Sequence, residues 1–413
     1  MTREAPSNDI RIATQSTGFY AGFNVWVAAV PKAVILALIA WVAASPSQAG
    51  QQLQSLQTWS TASFGSWYIY VTAFFTTTCL ALALWPRTGK LVLGQPGDTP
   101  EFSQFTWLSM MFGAGIGIGM LTYSTAEPIF HFATNPETIQ GTSTPLDADN
   151  VRNAYKWALL HYGLTPWACY GVIGIALGYL RYAKGMPLTI RSGLQPLFGS
   201  SLSGWLGHLV DIAAILATLI GLGVTIGYGV SQFSAGLFNI SGLTFLVNDS
   251  GQPTLSAQIT GLILIISASC LSALSGIQRG IKWLSNVNMG LSIFLVSFFI
   301  IFGSTTFALG TFGFAIWDYL LALPVMSVTV WQDTSTEVGA ALQQWQGAWN
   351  IFYWAWWIAF APFVGMFLAR VSRGRTVREY VLGAIIMPAT ICLTWLTFVG
   401  ATAIDLELQG IAG

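Results

Sequence analysis

The chain has 413 residues and no net charge; 8% of its residues are charged and 54% are hydrophobic, with a mean hydropathy of +0.62. Soluble proteins carry about 25% charged residues, so a soluble fold of this size could not cover its surface with polar groups. No basic block is present, and nucleic acid is therefore not an expected partner. The composition indicates a polytopic membrane protein surrounded by the lipid bilayer.

Nine apolar stretches are long enough to cross a bilayer core, which requires about 20 residues per helix. We predict transmembrane helices at 23–44, 66–85, 106–125, 157–180, 209–229, 256–274, 284–303, 349–369 and 380–403. Residues 307–323 mix aromatic residues with glycine and end before Pro324, which predicts a re-entrant or interfacial helix.

The basic residues are distributed asymmetrically between the two sides of these helices. Thirteen of the 16 lysines and arginines lie in the N-terminal tail or after even-numbered spans, whereas Arg152 and Lys156 lie on the opposite side. Because cytoplasmic loops carry an excess of Lys and Arg, the N-terminus is predicted to be cytoplasmic. Four cysteines and three histidines (His131, His161 and His208) are scattered along the chain and predict neither a disulfide framework nor a metal constellation.

The third span carries glycine at every second position from Gly113 to Gly119. Each interior glycine weakens a helix by about 1 kcal/mol relative to alanine. Close helix packing through small-xxx-small spacing is one interpretation. The other is an unwound segment whose backbone carbonyls face an ion or ligand, and glycine on opposite helix faces favours it.

The eighth span combines a predicted interruption at Pro362 and Gly365 with a dense aromatic cluster. Trp349, Tyr353, Trp356 and Phe360 share one helical face, and Trp357 lies beside it; the fourth span adds Tyr162, Trp167 and Tyr170. These rings are either packing and lipid-facing aromatics or an aromatic cage, which binds quaternary ammonium groups by cation–π attraction. Because the central membrane region has almost no acidic residue, a zwitterion fits better than a bare cation.

Five sequence blocks carry a family resemblance: AGIGIG at 114–119, AEP at 126–128, SG at 275–276, GIKWLSN at 280–286 and FYWAWWIAFAPFVGMFLARVSRG at 352–374. With these blocks the chain resembles the betaine/choline/carnitine transporter (BCCT) family. The resemblance implies an all-α membrane protein with a LeuT-type inverted-repeat fold, commonly assembled as a homotrimer. Of twelve expected helices about nine would be present, so the chain is interpreted as C-terminally incomplete.

The resemblance also implies a division of the chain. Residues 1–22 would form a cytoplasmic tail, 23–105 two leading helices, 106–303 the first five-helix repeat, 304–346 an interfacial helix with an external loop, and 347–413 the start of the second repeat.

By resemblance, the substrate would contact Tyr162, Trp167, Tyr170, Trp356, Trp357, Phe360 and Ala114, and a coupling ion would contact Gly113, Ile116, Thr218 and Phe363. Tyr162 and Phe360 stand where tryptophan is common in betaine carriers. Leu222 stands where sodium-coupled members have a second hydroxyl, one turn after Thr218.

The expected function is secondary transport that imports a betaine-type zwitterion, such as glycine betaine or a related quaternary ammonium or sulfonium compound. Na⁺ is the expected coupling ion, and no other cofactor is expected. Alternatives are a proton-coupled carrier, a choline/carnitine-type exchanger, or a truncated membrane protein that does not transport. An enzyme is not expected, because the midplane lacks a polar catalytic constellation. The expected location is the inner (plasma) membrane.

Overall fold

The computed structural model describes residues 10–115, 117–332 and 334–411. Within these ranges the regular secondary structure is helical, apart from three isolated β-bridges. The long helices are labelled α1 to α11: Val25–Ala44, Pro46–Leu84, Gln104–Gly115, Ile118–Ala133, Ala148–Ala183, Trp205–Ser241, Leu255–Ser275, Ile277–Phe302, Thr305–Met326, Glu337–Val371 and Val377–Leu408. The all-α prediction is confirmed.

In the described part of the chain, nine helices are long and apolar enough to cross a membrane, namely all of these except the shorter α3 and α4. The pair α3 and α4 passes the same test together, with a bend between its two halves. Each predicted span coincides with one of these helices or with this pair. Helix α2 begins at Pro46, 20 residues before the predicted start of the second span, and its first turns are rich in Gln and Ser. Proline is favoured in the first turn of a helix, where its missing N–H breaks no hydrogen bond.

Two predictions about proline are wrong. The segment expected to end before Pro324 continues to Met326 as α9, since a proline in the last turn removes only one backbone donor. Helix α10 runs through Pro362 and Gly365 without a break. Its irregularity is instead a π-helical turn at Gly347–Ile351, a geometry often found beside functional sites. Helix α9 is long enough to cross a bilayer, and its interfacial placement stays a prediction.

The centre of the molecule is formed by α4, α5, α10 and α11, and the closest contact joins α5 to α10. A Cβ atom added to Gly365 of α10 would lie 2.7 Å from Ile173 of α5, and one added to Gly174 would lie 1.8 Å from the Tyr380 hydroxyl. Small residues at these points let the helices approach closely, which is how helices associate in lipid. Helices α1, α7 and α8 are mostly exposed and present apolar side chains to the surroundings.

Helix α5 is interrupted at Gly163, where Val151–Tyr162 ends and Leu164–Gly178 begins. The Tyr319 hydroxyl of α9 accepts a hydrogen bond from the Leu164 backbone N–H at 2.8 Å. It occupies the position next to Gly163 where a Cβ atom would lie, at 2.2 Å. This irregular point places Tyr162 and Trp167 at the level of the α3–α4 break.

Candidate functional site

The candidate site is built around the break between α3 and α4. Helix α3 ends at Gly115, α4 begins at Ile118, and the two halves of the span are bent by 67°. The backbone carbonyls that end one helix and the N–H groups that begin the next have no partner in a continuing helix. The interruption predicted from the glycine pattern is therefore present, although Ile116 itself lies outside the described residues.

A cavity of about 250 Å³ lies beside this break. Its walls are mainly aromatic: Ala114, Gly117, Ile118, Gly119, Met120, Tyr162, Tyr170, Thr225, Tyr353, Trp356, Trp357 and Phe360 line it. Six of the seven residues expected to contact substrate thus surround one space. The seventh, Trp167, does not line the cavity.

Trp357 is the central ring of the cavity wall. Its centroid lies 5.2 Å from that of Tyr170, 5.6 Å from Trp167 and 6.2 Å from Tyr162. The fully buried Trp167 packs behind it and donates its indole N–H to the Tyr162 carbonyl at 3.3 Å. Trp167 therefore holds the wall in place, while Trp357, Tyr162 and Tyr170 face the cavity.

Trp356 forms the wall nearest the helix break. A Cβ atom on Gly119 would lie 3.2 Å from its ring, and the Tyr162 hydroxyl donates to the Gly119 carbonyl at 3.2 Å. On the far side, a Cβ atom on Gly221 of α6 would lie 3.1 Å from the Phe360 ring. Glycine at 119 and 221 therefore lets two backbones approach the rings of α10.

Six lining residues were not predicted as site residues: Gly117, Ile118, Gly119, Met120, Thr225 and Tyr353. The first three lie in the glycine-rich stretch that was predicted to unwind. Tyr353 carried a signal, because it shares a helical face with Trp356 and Phe360 and precedes them by three and seven residues. No sequence pattern pointed to Met120 and Thr225, because their place in the cavity wall depends on how α4 and α6 pack.

A cluster of buried polar groups lies directly behind Tyr353, and we call Glu127, His131 and His161 the acid–imidazole cluster. All three side chains are fully buried. Glu127 Oε1 lies 2.5 Å from His161 Nδ1 and 3.3 Å from His131 Nε2, and the Tyr353 hydroxyl donates to Glu127 Oε2 at 2.5 Å. The interpretation of the histidines as scattered is wrong for His131 and His161, because α4 and α5 bring them to one carboxylate.

The other scattered residues meet no such partners. His208 lies near the Arg191–Asp211 ion pair, with its Nδ1 3.1 Å from an Arg191 nitrogen. The four cysteines are free thiols.

The three described residues expected to hold an ion, Gly113, Thr218 and Phe363, do not converge. Thr218 and Phe363 line a second, mainly apolar cavity of about 440 Å³ that Leu222 and Phe360 also line. The Thr218 hydroxyl donates to the Ala214 carbonyl of its own helix at 2.9 Å. Gly113 faces α8 instead, where a Cβ atom would lie 3.6 Å from Ser285 Oγ. Hard cations require several oxygen ligands, so these described residues alone do not complete a sodium site.

Comparison with known proteins agrees with this geometry. Residues 26–413 match the model of the BCCT family, the betaine/carnitine/choline family transporters. The chain belongs to this family. The predicted membership is confirmed, and with it the prediction of a membrane transporter family rather than a class of enzymes.

Similar proteins include carriers of different substrates. The chain is 36% identical to the glycine betaine transporter OpuD of Bacillus subtilis over 380 residues, which cover 92% of this chain and 70% of that protein. It is 38% identical to the high-affinity choline transport protein of Escherichia coli K12 over 353 residues, covering 85% of this chain and 49% of that protein. It is 36% identical to the betaine/ectoine transporter LcoP of Corynebacterium glutamicum over 396 residues, covering 95% and 60%. The chain thus spans about half to about two thirds of the length of these relatives.

Proposed function

We propose that the chain acts in secondary active transport and imports a betaine-type zwitterion, such as glycine betaine or a related quaternary ammonium or sulfonium compound. The aromatic cavity beside the broken helix supports this proposal most directly. Tyr162, Tyr170, Trp356, Trp357 and Phe360 offer ring faces from two helices to one small space. Aromatic faces attract onium groups through the ring quadrupole.

The charge and size of the cavity favour a small zwitterion. None of the described lining residues carries a carboxylate, so a bare cation would have no counter-charge in direct contact with it. The N-terminus of α4 borders the same space, and helix N-termini favour anions through free N–H groups and the helix dipole. Pockets for drug-sized molecules have volumes of about 300–1,000 Å³. A cavity of about 250 Å³ therefore suits a smaller ligand.

The energetics call for contacts at both ends of the ligand. A desolvated cation–π contact contributes about 2 kcal/mol, so three rings contribute roughly 6 kcal/mol. Micromolar binding requires about 8 kcal/mol. A carboxylate bound at the start of α4 supplies a charge-assisted hydrogen bond of about 1.5–3 kcal/mol, which closes the difference.

The substrate proposal is tested by titrating the purified chain in nanodiscs with glycine betaine, choline and carnitine in parallel. We expect glycine betaine to bind at least ten times more tightly than choline, because choline has no carboxylate for the α4 N-terminus. Tighter binding of choline would contradict the proposal.

Sodium coupling is a separate proposal, supported by the family resemblance and by the position of Thr218 in a cavity that shares Phe360 with the aromatic one. Uptake of labelled glycine betaine into proteoliposomes is compared under an inward sodium gradient, an inward proton gradient and internal unlabelled betaine. Stimulation by sodium alone is expected. Stimulation by protons would identify a proton-coupled carrier, and stimulation by internal betaine an exchanger.

Location and assembly are also proposed. We place the chain in the inner (plasma) membrane with a cytoplasmic N-terminus, supported by the distribution of Lys and Arg, and we propose a homotrimer from the family resemblance. Labelling of single cysteines introduced at 20 and 249 in intact cells tests the orientation, and native mass spectrometry tests the assembly.

A further inference from the structure

In the acid–imidazole cluster, the two ring contacts of His161 require one proton more than a neutral imidazole carries. Its Nε2 lies 2.8 Å from the side-chain oxygen of Asn350, and its Nδ1 lies 2.5 Å from Glu127 Oε1. A neutral imidazole has one donor nitrogen and one acceptor nitrogen. With the amide oxygen as acceptor, Nε2 carries a hydrogen, and the contact at Nδ1 then requires a second proton. That proton lies either on His161, giving an ion pair, or on Glu127, giving a neutral pair.

The separations favour a proton over a metal ion between these groups. Zn²⁺ binds nitrogen and oxygen at about 2.0–2.2 Å in a tetrahedron, which places two of its ligand atoms more than about 3 Å apart. The 2.5 Å contact between His161 Nδ1 and Glu127 Oε1 is shorter than that, so the two atoms are spaced for a shared hydrogen and not for two ligands of one ion.

The shared proton is connected to the aromatic cavity by two hydroxyl groups. Tyr353 donates to Glu127 Oε2 at 2.5 Å, and its oxygen lies 3.1 Å from the Tyr162 hydroxyl. The Tyr162 hydroxyl has one proton, which it donates either to Tyr353 or to the Gly119 carbonyl at the helix break. Both tyrosines line the cavity, and the Tyr353 hydroxyl contacts the buried carboxylate directly.

We propose that Glu127 and His161 form a proton-binding site whose occupancy is linked to the ligand in the aromatic cavity through Tyr353 and Tyr162. This inference rests on the proposed function for the identity of the ligand. An onium group against Tyr162 and Trp357 lowers the affinity of the nearby site for a positive proton, since charges interact strongly in low dielectric. Ligand binding therefore releases a proton, and acidification weakens ligand binding.

The other titratable groups around the Glu127–His161 pair are the imidazole of His131, several phenols and one thiol. The Glu137–Lys156 pair, whose glutamate also accepts from the Trp157 indole, is the next charged pair outward along α5. Titratable groups that face the pair or its hydroxyl chain are His131 and Tyr123 of α4, Tyr162 of α5, Tyr228 of α6, Tyr319 of α9, Tyr353 of α10 and Cys392 of α11.

A measurement without ligand tests the proton site itself. The chain has three histidines, so solid-state NMR with ring-¹⁵N-labelled histidine resolves them, with His208→Gln as an assignment variant. We expect one proton of the Glu127–His161 site to be gained or lost across the pH range in which the chain stays folded, and the His161 ring nitrogens report it. Glu127→Gln keeps the hydrogen-bonding shape and removes the charge, so it abolishes or displaces this transition. A His161 signal that is unchanged by pH, or a transition that Glu127→Gln leaves in place, would overturn the proposal.

A second measurement tests the link to the cavity. Calorimetry of glycine betaine binding at one pH, in buffers with different ionisation enthalpies, counts the protons exchanged. We expect proton release by the wild-type chain and about tenfold weaker binding at the acidic end of the range, a typical coupling between sites. Tyr353→Phe, which removes only the connecting hydroxyl, reduces the release. Tyr155→Phe is the matched control, because this buried tyrosine of α5 donates to the Thr397 carbonyl instead.

The outcomes separate the two proposals. Betaine binding without proton exchange refutes the link and leaves the proposed substrate standing. No betaine binding in either buffer refutes the proposed function, and the NMR titration still decides whether the proton site exists. A stoichiometric metal ion in protein purified from chelator-free buffer would overturn the assignment of a proton.

Discussion

The Tyr162 hydroxyl donates to the carbonyl oxygen of Gly119 at 3.2 Å and thereby joins the α3–α4 break to the aromatic wall of α5. The same glycine lies against Trp356 of α10 with room for a hydrogen but little room for a methyl group. Three helices that form the cavity thus meet at one residue without a β-carbon. The shape of the cavity should therefore depend on the size of the side chain at 119.

We predict that Gly119→Ala weakens glycine betaine binding about tenfold. The new methyl group would lie 3.2 Å from the Trp356 ring, and overpacking of this kind typically costs about 1–3 kcal/mol. Titration calorimetry of the two proteins measures the change. Gly290→Ala in α8 is the control, because a Cβ there has no neighbour within 4 Å. Equal affinities for Gly119→Ala and Gly290→Ala would place the ligand elsewhere.

Trp357 is predicted to dominate ligand affinity. It lies between three other rings, and loss of one desolvated cation–π contact of about 2 kcal/mol corresponds to about 30-fold weaker binding. Trp357→Ala should show at least this loss in a binding titration, and Trp357→Phe a smaller one. Trp317→Ala, which removes an exposed tryptophan of α9, should leave the affinity unchanged. If Trp357→Ala binds the ligand as tightly as the wild-type chain, the aromatic cage is not the binding site.

Much of the aromatic wall could be predicted because its residues belong to regular helices. The helical period places Trp356 and Phe360 on one face, and both line the cavity. The glycine pattern predicted the break because four glycines in seven residues oppose a continuous helix. These inferences need only local geometry, which a single sequence contains.

The remaining features depend on tertiary packing. Glu127 and His161 are 34 residues apart and Asn350 is 189 residues beyond His161, so no spacing rule brings them together. Helical spacing groups Trp167 with Tyr170, but Trp167, which follows the interruption of α5 at Gly163, packs behind the wall. Pro362 suggested a break, but α10 continues through it. The sequence alone therefore does not show which distant residues meet. It also does not show whether a packed helix continues through a proline.

Gly174→Ala is predicted to destabilise the contact between α5 and α11. Its methyl group would overlap the Tyr380 hydroxyl at 1.8 Å and the ring carbon bearing it at 2.8 Å. We expect a loss of about 1–3 kcal/mol, seen as a lower melting temperature in nanodiscs. Tyr380→Phe removes the overlapping oxygen and should restore part of the stability in the double variant, which a double-mutant cycle quantifies. Gly178→Ala is the control, since its Cβ would make only ordinary contact with Leu93 at 3.4 Å.

The Asp98–Arg373 ion pair joins the loop before α3 to the loop between α10 and α11. We predict that it makes the stability of the folded chain depend on pH. Arg373 donates to both Asp98 oxygens, at 2.9 and 3.0 Å. These bonds, with one from the Gln95 backbone, hold the pKa of Asp98 below its usual value. A depressed pKa stabilises the folded state above the unfolded value of about 3.9, and the gain is lost as pH falls through the lower folded value. Asp98→Asn should therefore melt at a slightly lower temperature than wild type at pH 7.

The difference between Asp98→Asn and wild type should narrow as the pH falls below the unfolded value and close once it has fallen through the lower folded pKa of Asp98. Asp249→Asn in the loop before α7 serves as the control, because Asp249 forms no ion pair within the described residues. The measurement is a melting curve by intrinsic fluorescence at several pH values for all three proteins. A gap that persists unchanged into acid would mean that Asp98 acts through its shape and hydrogen bonding rather than its charge.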